Sequence, residues 1–158
     1  MKKQTVKAYL FWIIATEAVG VLAGLLTREA TRVYSTTMNK PPLSPPGIVF
    51  PIVWSILYAL MGVGAARVSL TTPSKTRSDS IFLYLVQLTF NFFWSILFFN
   101  LANYGVAFVW LVILWGLILW MTLLFFKIDR PAAYLQIPYL IWVLFAGYLN
   151  LGVWILNR

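Results

Sequence analysis

The sequence has no cysteine and no histidine among its 158 residues, only four acidic side chains, and no more than 10% charged residues. The first two absences exclude disulfides, thiol nucleophiles, histidine general bases and the usual zinc or haem ligands. The shortage of charge sets the chain apart from soluble domains, in which about a quarter of residues are charged. Apolar residues take that share: 61% are hydrophobic and 18% aromatic. The composition is that of a membrane protein with room for a single domain, residues 1–158. The formal charge is +8, but the basic residues stand at the ends of apolar runs rather than in one patch. Topology and contact with anionic lipid headgroups explain that distribution more simply than nucleic acid does.

Five apolar runs follow one another, at about 8–26, 47–67, 81–99, 106–126 and 132–156. Each is long enough to cross about 30 Å of hydrocarbon, which predicts an all-α integral membrane protein built as a five-transmembrane-helix bundle. Lys2, Lys3 and Lys7 precede the first run as in a signal peptide, but the run continues to Leu26 with no A-x-A-like cleavage site. Within it Glu17 is costly against lipid and should face protein or water. Gly20 and Gly24 form a GxxxG pair, a close-packing signal for another helix of the same chain or for a second protomer.

Residues 27–46 form the longest connection and carry Arg28, Arg32, Tyr34 and Lys40. Pro41, Pro42, Pro45 and Pro46 then fix their own φ and hold their neighbours extended, a stiff collar that Gly47 releases into the second span. Trp54 and Tyr58 follow four residues apart, on one helical face. A stiff loop above an aromatic face has the form of the lid and floor of a ligand pocket; it has equally the form of a loop that ends one span and starts the next. TTPSKTRSDS reads as a solvated linker between the second and third spans.

On the third span Gln87, Asn91, Trp94, Ser95 and Phe98 recur at helical spacing, so one stripe carries amide, indole and hydroxyl groups. Asn91 falls near mid-membrane, where its amide must bond another helix, a water or a ligand. Trp110, Trp115 and Trp120 on the fourth span share no face and are expected at lipid or in the interfacial belt. On the fifth, Tyr139, Trp142, Phe145, Ala146, Leu149 and Val153 mark one face, with Asn150 close by. Such a stripe is a common form of helix packing, yet small Ala146 beside Trp142 leaves room for a guest. With five spans, eight Lys and Arg residues fall on the amino-terminal side and four on the other. The positive-inside rule places the amino terminus in the cytoplasm, the expected membrane being a bacterial cell membrane.

Three stretches taken together, KPPLSPPGIVFPIVWSILYALMG, NFFWSILFF and DRPAAYLQIPYLIWVLFAGYLNLGVWILN, resemble the ordered motifs of the tryptophan-rich sensory protein and translocator protein family (TspO/MBR). The resemblance covers nearly the whole chain. It implies five transmembrane helices around a pocket under the first loop, and binding of porphyrins such as protoporphyrin IX and haem, of synthetic benzodiazepine-site ligands and, in mitochondrial members, of cholesterol. Matched position by position, the pocket would comprise Tyr34, Pro46, Gly47, Trp54, Tyr58, Asn91, Trp94, Trp142, Phe145, Ala146 and Leu149. Light-dependent porphyrin breakdown has been proposed for some bacterial members, and the tryptophans it relies on resemble Trp54 and Trp142. The chain departs from the pattern at Leu43, where the family usually has a lid tryptophan that strengthens stacking. It departs again at Leu151, where the cholesterol motif needs a tyrosine, with Arg158 too far along.

A porphyrin is a flat π system with an anionic edge. Trp54, Trp94 and Trp142 can supply walls, and Arg28, Arg32 or Lys40 can pair the propionates. With no histidine or cysteine to ligate iron, the ring rather than the metal should be recognised, and no resident cofactor or metal is expected. The leading expectation is therefore a membrane tetrapyrrole receptor or carrier acting as sensor, transporter or scavenger. Two alternatives stand beside it: a slow light-dependent porphyrin-degrading enzyme, and a proton-coupled exporter built on Glu17. The second is disfavoured by the odd number of spans and the lack of an inverted repeat.

Overall fold

The structure, a computed structural model, describes residues 2–158. Its helices are α1 (Lys2–Leu26), α2 (Arg28–Thr37), α3 (Val49–Ser69), α4 (Lys75–Ser95), α5 (Tyr104–Ile128), α6 (Arg130–Tyr134) and α7 (Ile137–Leu156). A π-helical turn, Ile96–Asn100, prolongs α4, and five helical stretches, the last joining α6 and α7, are long and apolar enough to cross a membrane. Hydrocarbon offers the backbone no hydrogen-bond partner, so these runs have little choice but to be helical. Packing is closest along α1 with α3, α4 with α5 and α5 with α7, while α1 also meets α4 and the α3–α7 contact is slight. The helices thus form a ring in the order α3, α1, α4, α5, α7, with its weakest seam between α3 and α7.

Several helices outrun the apolar spans that announce them. α1 begins at Lys2 instead of near residue 8, taking in the lysine-bearing turn. α4 begins at Lys75, so more than half of the expected linker is helical: Ser74 Oγ accepts the Arg77 amide at 3.1 Å and caps the first turn. α2 lies inside what reads as the long loop. Its apolar content is too small to mark a span, yet Glu29 stands in its first turn, where a negative charge favours the helix. Pro138 in the first turn of α7 removes an amide, and the fifth span accordingly breaks at Leu135 and Gln136.

Three glycines set helix separations. A Cβ at Gly62 would stand 2.7 Å from the Ile13 Cα, one at Gly20 would overlap the Tyr58 ring, and one at Gly64 would overlap the Gln136 amide. Gly20 therefore seats α3 of the same chain, whereas a Cβ at Gly24 would meet nothing. Below the α3–α7 seam, Arg67 donates to both oxygens of Asp129 at 3.0 Å, and Asp129 also accepts the Ala132 amide at 2.8 Å, capping α6. This clamp closes the seam at the amino-terminal end of the bundle.

The proline collar is tied to α7. Asn157 exchanges two hydrogen bonds with the Asn39 backbone, the Tyr148 hydroxyl donates to the Pro42 carbonyl at 2.7 Å, and Pro41 lies on Gly152 with no room for a Cβ. Between them the Ser44 amide and hydroxyl return to the Pro41 carbonyl, closing a turn with Leu43 at φ 67°. That left-handed value after a proline belongs to the third position of a type II turn, which favours glycine.

Candidate functional site

The polar stripe of α4 forms a continuous hydrogen-bonded chain through the bundle centre. Tyr58 donates to Asn91 Oδ1 at 2.6 Å, Asn91 Nδ2 donates to the Tyr139 hydroxyl at 2.8 Å, and Tyr139 donates to Gln87 Oε1 at 2.8 Å. All four residues are buried. Of the three partners open to Asn91 in the sequence, the structure supplies other helices, α3 and α7. One turn away Trp94 Nε1 donates to Asn150 Oδ1 at 3.1 Å, and Asn150 donates to the Tyr104 carbonyl at 2.8 Å, a second buried tie from α4 through α7 to α5. A buried amide in hydrocarbon must be satisfied, and here each satisfies another.

Around this centre the aromatic residues form two groups. At the collar end Tyr34 stands edge-on to Phe98 and Phe99, and Phe98 stacks on Trp94 with ring centres 5.4 Å apart. Lys40 Nζ lies 5.4 Å from the centre of the Tyr34 ring. Burial, and secondarily Tyr104, pushes the Tyr34 hydroxyl up to about 12, so this is a cation over a neutral ring. On the α3–α7 side Trp54 stacks on Tyr58 and meets Tyr139 edge-on. Beside it Trp142 packs between Phe50 and Phe145.

At the seam Trp142 and Phe145, with Val53, Leu57, Leu60 and Ile141, line an apolar groove of about 590 Å³, open on its outer side. A groove of this size falls within the range of small-molecule sites, about 300–1,000 Å³. Trp142 Nε1 is buried and has no hydrogen-bond partner; Gln136 Oε1 is the other such atom among the described residues. The buried Trp94 indole, by contrast, has its acceptor in Asn150.

The residues named from sequence are thus distributed. Trp142 and Phe145 line the groove, while Trp54 and Tyr58 stand behind it on α3. Asn91, Trp94, Ala146 and Leu149 are buried within the bundle, and Tyr34 is half-buried over its collar end. Pro46 and Gly47 are exposed in the collar. Of the basic candidates, Arg32 pairs with Glu29 on α2, Lys40 donates to the Ser35 carbonyl at 2.9 Å, and Arg28 is exposed with no partner among the described residues. Glu17 is half-buried on α1, with no ion-pair partner among the described residues.

One expectation is corrected. Trp110 and Trp115 do not serve lipid alone: their indoles donate to the Phe90 and Leu140 carbonyls at 2.8 and 3.1 Å, tying α5 to α4 and α7, and of the three Trp120 alone is mostly exposed, at 58%. Leu43, where the family pattern has a lid tryptophan, is held outward by its turn at 83% exposure. The collar's ties to α7 had no signal in the sequence beyond the small size of Gly152 and the polar Asn157.

Comparison with known proteins places this arrangement. The chain is 38% identical over 141 residues to the tryptophan-rich protein TspO of Chlorobaculum tepidum, covering 89% of each chain. It is 32% identical to protein CrtK of Rhodobacter capsulatus, over 94% of this chain and 92% of that one. It is 36% identical to the translocator protein of Bos taurus, over 85% and 81%. The sequence profile of the TspO/MBR family matches residues 12–155, and the chain, an integral membrane protein of five spans, belongs to that family.

Proposed function

We propose that this chain is a membrane receptor or carrier for a tetrapyrrole such as protoporphyrin IX or haem, or for a similarly flat hydrophobic ligand. The observation that carries the reading is the unpartnered Trp142 Nε1 at the apolar groove between α3 and α7. A buried donor in a membrane interior is costly when left unmade; a carbonyl or carboxylate oxygen of a guest would satisfy it once the guest displaces the side chains that cover Nε1. Trp142 and Phe145 offer flat faces to a macrocycle, with Trp54 behind them on α3. Arg28, exposed and with no partner among the described residues, is a candidate cation for a propionate.

The names of relatives as sensory and translocator proteins support transport or signalling rather than a dedicated enzyme. The basic residues are concentrated on the amino-terminal side, which supports a cytoplasmic amino terminus. A homodimer in this reading has Gly24 available on α1 but not Gly20, which Tyr58 occupies.

The test is a porphyrin titration followed by tryptophan quenching in lipid nanodiscs. Replacing Trp54 and Trp142 together by Phe should weaken binding; an unchanged affinity would remove the groove from consideration.

A further inference from the structure

Leu43 presents a contradiction if the collar is merely a water-facing loop. A large apolar side chain occupies the one turn position where glycine would be unstrained, and 83% of it is exposed. The neighbouring collar residue Ile48 is 67% exposed, and Ile52 one turn into α3 is 54% exposed.

The contradiction disappears once the depth of the collar is considered. Pro41 does not ride above the end of α7 but against its side, on Gly152, and the Pro42 carbonyl takes the Tyr148 hydroxyl. Gly152 lies four residues before Leu156 and Tyr148 eight, which is about 6 and about 12 Å below the end of the helix at 1.5 Å per residue. The last turns of α7 are apolar and outward-facing up to Ile155 and Leu156, so that end belongs to the hydrocarbon boundary. The Pro41–Ser44 turn is therefore fixed beside α7 at the level where acyl chains begin. From there the chain returns to the start of α3, and its exposed apolar side chains run on into the outward-facing stripe Ile48, Ile52 and Ile56.

We propose that the proline collar is a membrane-embedded elbow: Leu43 and Ile48 insert among the acyl chains of the collar-side leaflet and seat the link between α2 and α3 in lipid. The occupant is lipid rather than a second protein. Tyr148, with its ring against the outer side of α7 and its hydroxyl on Pro42, suits the boundary between an apolar and a wet layer. The elbow makes the collar a structure whose position depends on the bilayer and not on the helices alone.

Because the chain has no cysteine, single labels can be placed without altering any other residue. Leu43→Cys and Ile48→Cys are spin-labelled in phosphatidylcholine nanodiscs, with Ile52→Cys as the acyl-chain reference and Ser35→Cys on α2 as the aqueous one. Collision with oxygen is compared with collision with a water-soluble nickel chelate. The proposal expects the Leu43 and Ile48 labels to favour oxygen, as the Ile52 label does. Nickel-favoured collisions matching the Ser35 label would overturn it. So would protection from both reagents with spin–spin broadening, the mark of a second copy covering the patch. A bimane label at Leu43→Cys gives an independent reading: lipids brominated high on the acyl chain should quench it, and absence of quenching would overturn the proposal as well.

Discussion

Tyr58 and Asn91 meet across 2.6 Å at the centre of the bundle, the hydroxyl donating to the amide oxygen, and through Asn91 the bond continues to Tyr139 on α7. One side chain of α4 therefore holds two other helices. Interhelical hydrogen bonds in membranes average about 0.6 kcal/mol and reach about 1.7, so Asn91→Ala should cost about 1–3 kcal/mol. Tyr58→Phe, which removes one bond of the pair, should cost about half as much. Unfolding in mixed micelles with increasing dodecyl sulfate measures both, and equal losses would contradict the bridging role of Asn91.

The glycines of α1 and α3 should rank by what surrounds them. Gly62→Ala brings a Cβ against the backbone of Ile13, which cannot yield without moving α1, and Gly20→Ala presses on a Tyr58 ring already stacked on Trp54. Overpacking of this kind costs about 1–3 kcal/mol, with Gly62 the worse. Gly24→Ala enters open space and should be neutral. A thermal series in detergent checks the order; a destabilising Gly24→Ala would reveal a contact outside the single chain.

Asp129 should make stability fall in acid. Partial burial pushes its carboxyl up, but the Arg67 hydrogen bonds, the Ala132 amide and the Arg67 charge together hold it below its ordinary value of 3.8. A carboxyl depressed in the folded state stabilises above its unfolded pKa and loses that contribution as pH falls through the folded one. Asp129→Asn should lower stability by about 1–2 kcal/mol at pH 7, and the difference from the unaltered chain should shrink below about pH 4. Melting curves taken from pH 7 downward test the sign; a gap that widens in acid would refute the pairing.

Ligand recognition should separate ring from donor at Trp142. Trp142→Phe keeps a flat face and removes Nε1, so porphyrin affinity should drop about three- to tenfold, the worth of one hydrogen bond. Trp142→Ala should lose more. Among the basic residues, Arg28→Gln should weaken a dicarboxylate porphyrin more than Arg32→Gln, since Arg32 already has Glu29. Raising salt should shrink that difference, because exposed charges are screened beyond about 10 Å at 0.1 M. Equal effects at Arg28 and Arg32 in a titration at two salt concentrations would dismiss propionate pairing by Arg28.

The sequence by itself determined the five membrane-crossing helices. Runs such as 106–126 carry no charged side chain, and hydrocarbon admits only backbone that satisfies itself, so length and apolarity suffice. It also marked the polar stripe on α4, since helical spacing is a local property. Only the tertiary structure decided where those polar groups go: whether Asn91 bonds a guest or Tyr58 and Tyr139, and whether Trp110 and Trp115 serve lipid or the carbonyls of Phe90 and Leu140. Those partners lie 20 to 48 residues apart in the chain, and no local pattern encodes them. The collar shows the same division. Its stiffness follows from four prolines in the sequence, but its depth beside α7 depends on Gly152, Tyr148 and Asn157, more than a hundred residues away, converging on it in the folded bundle.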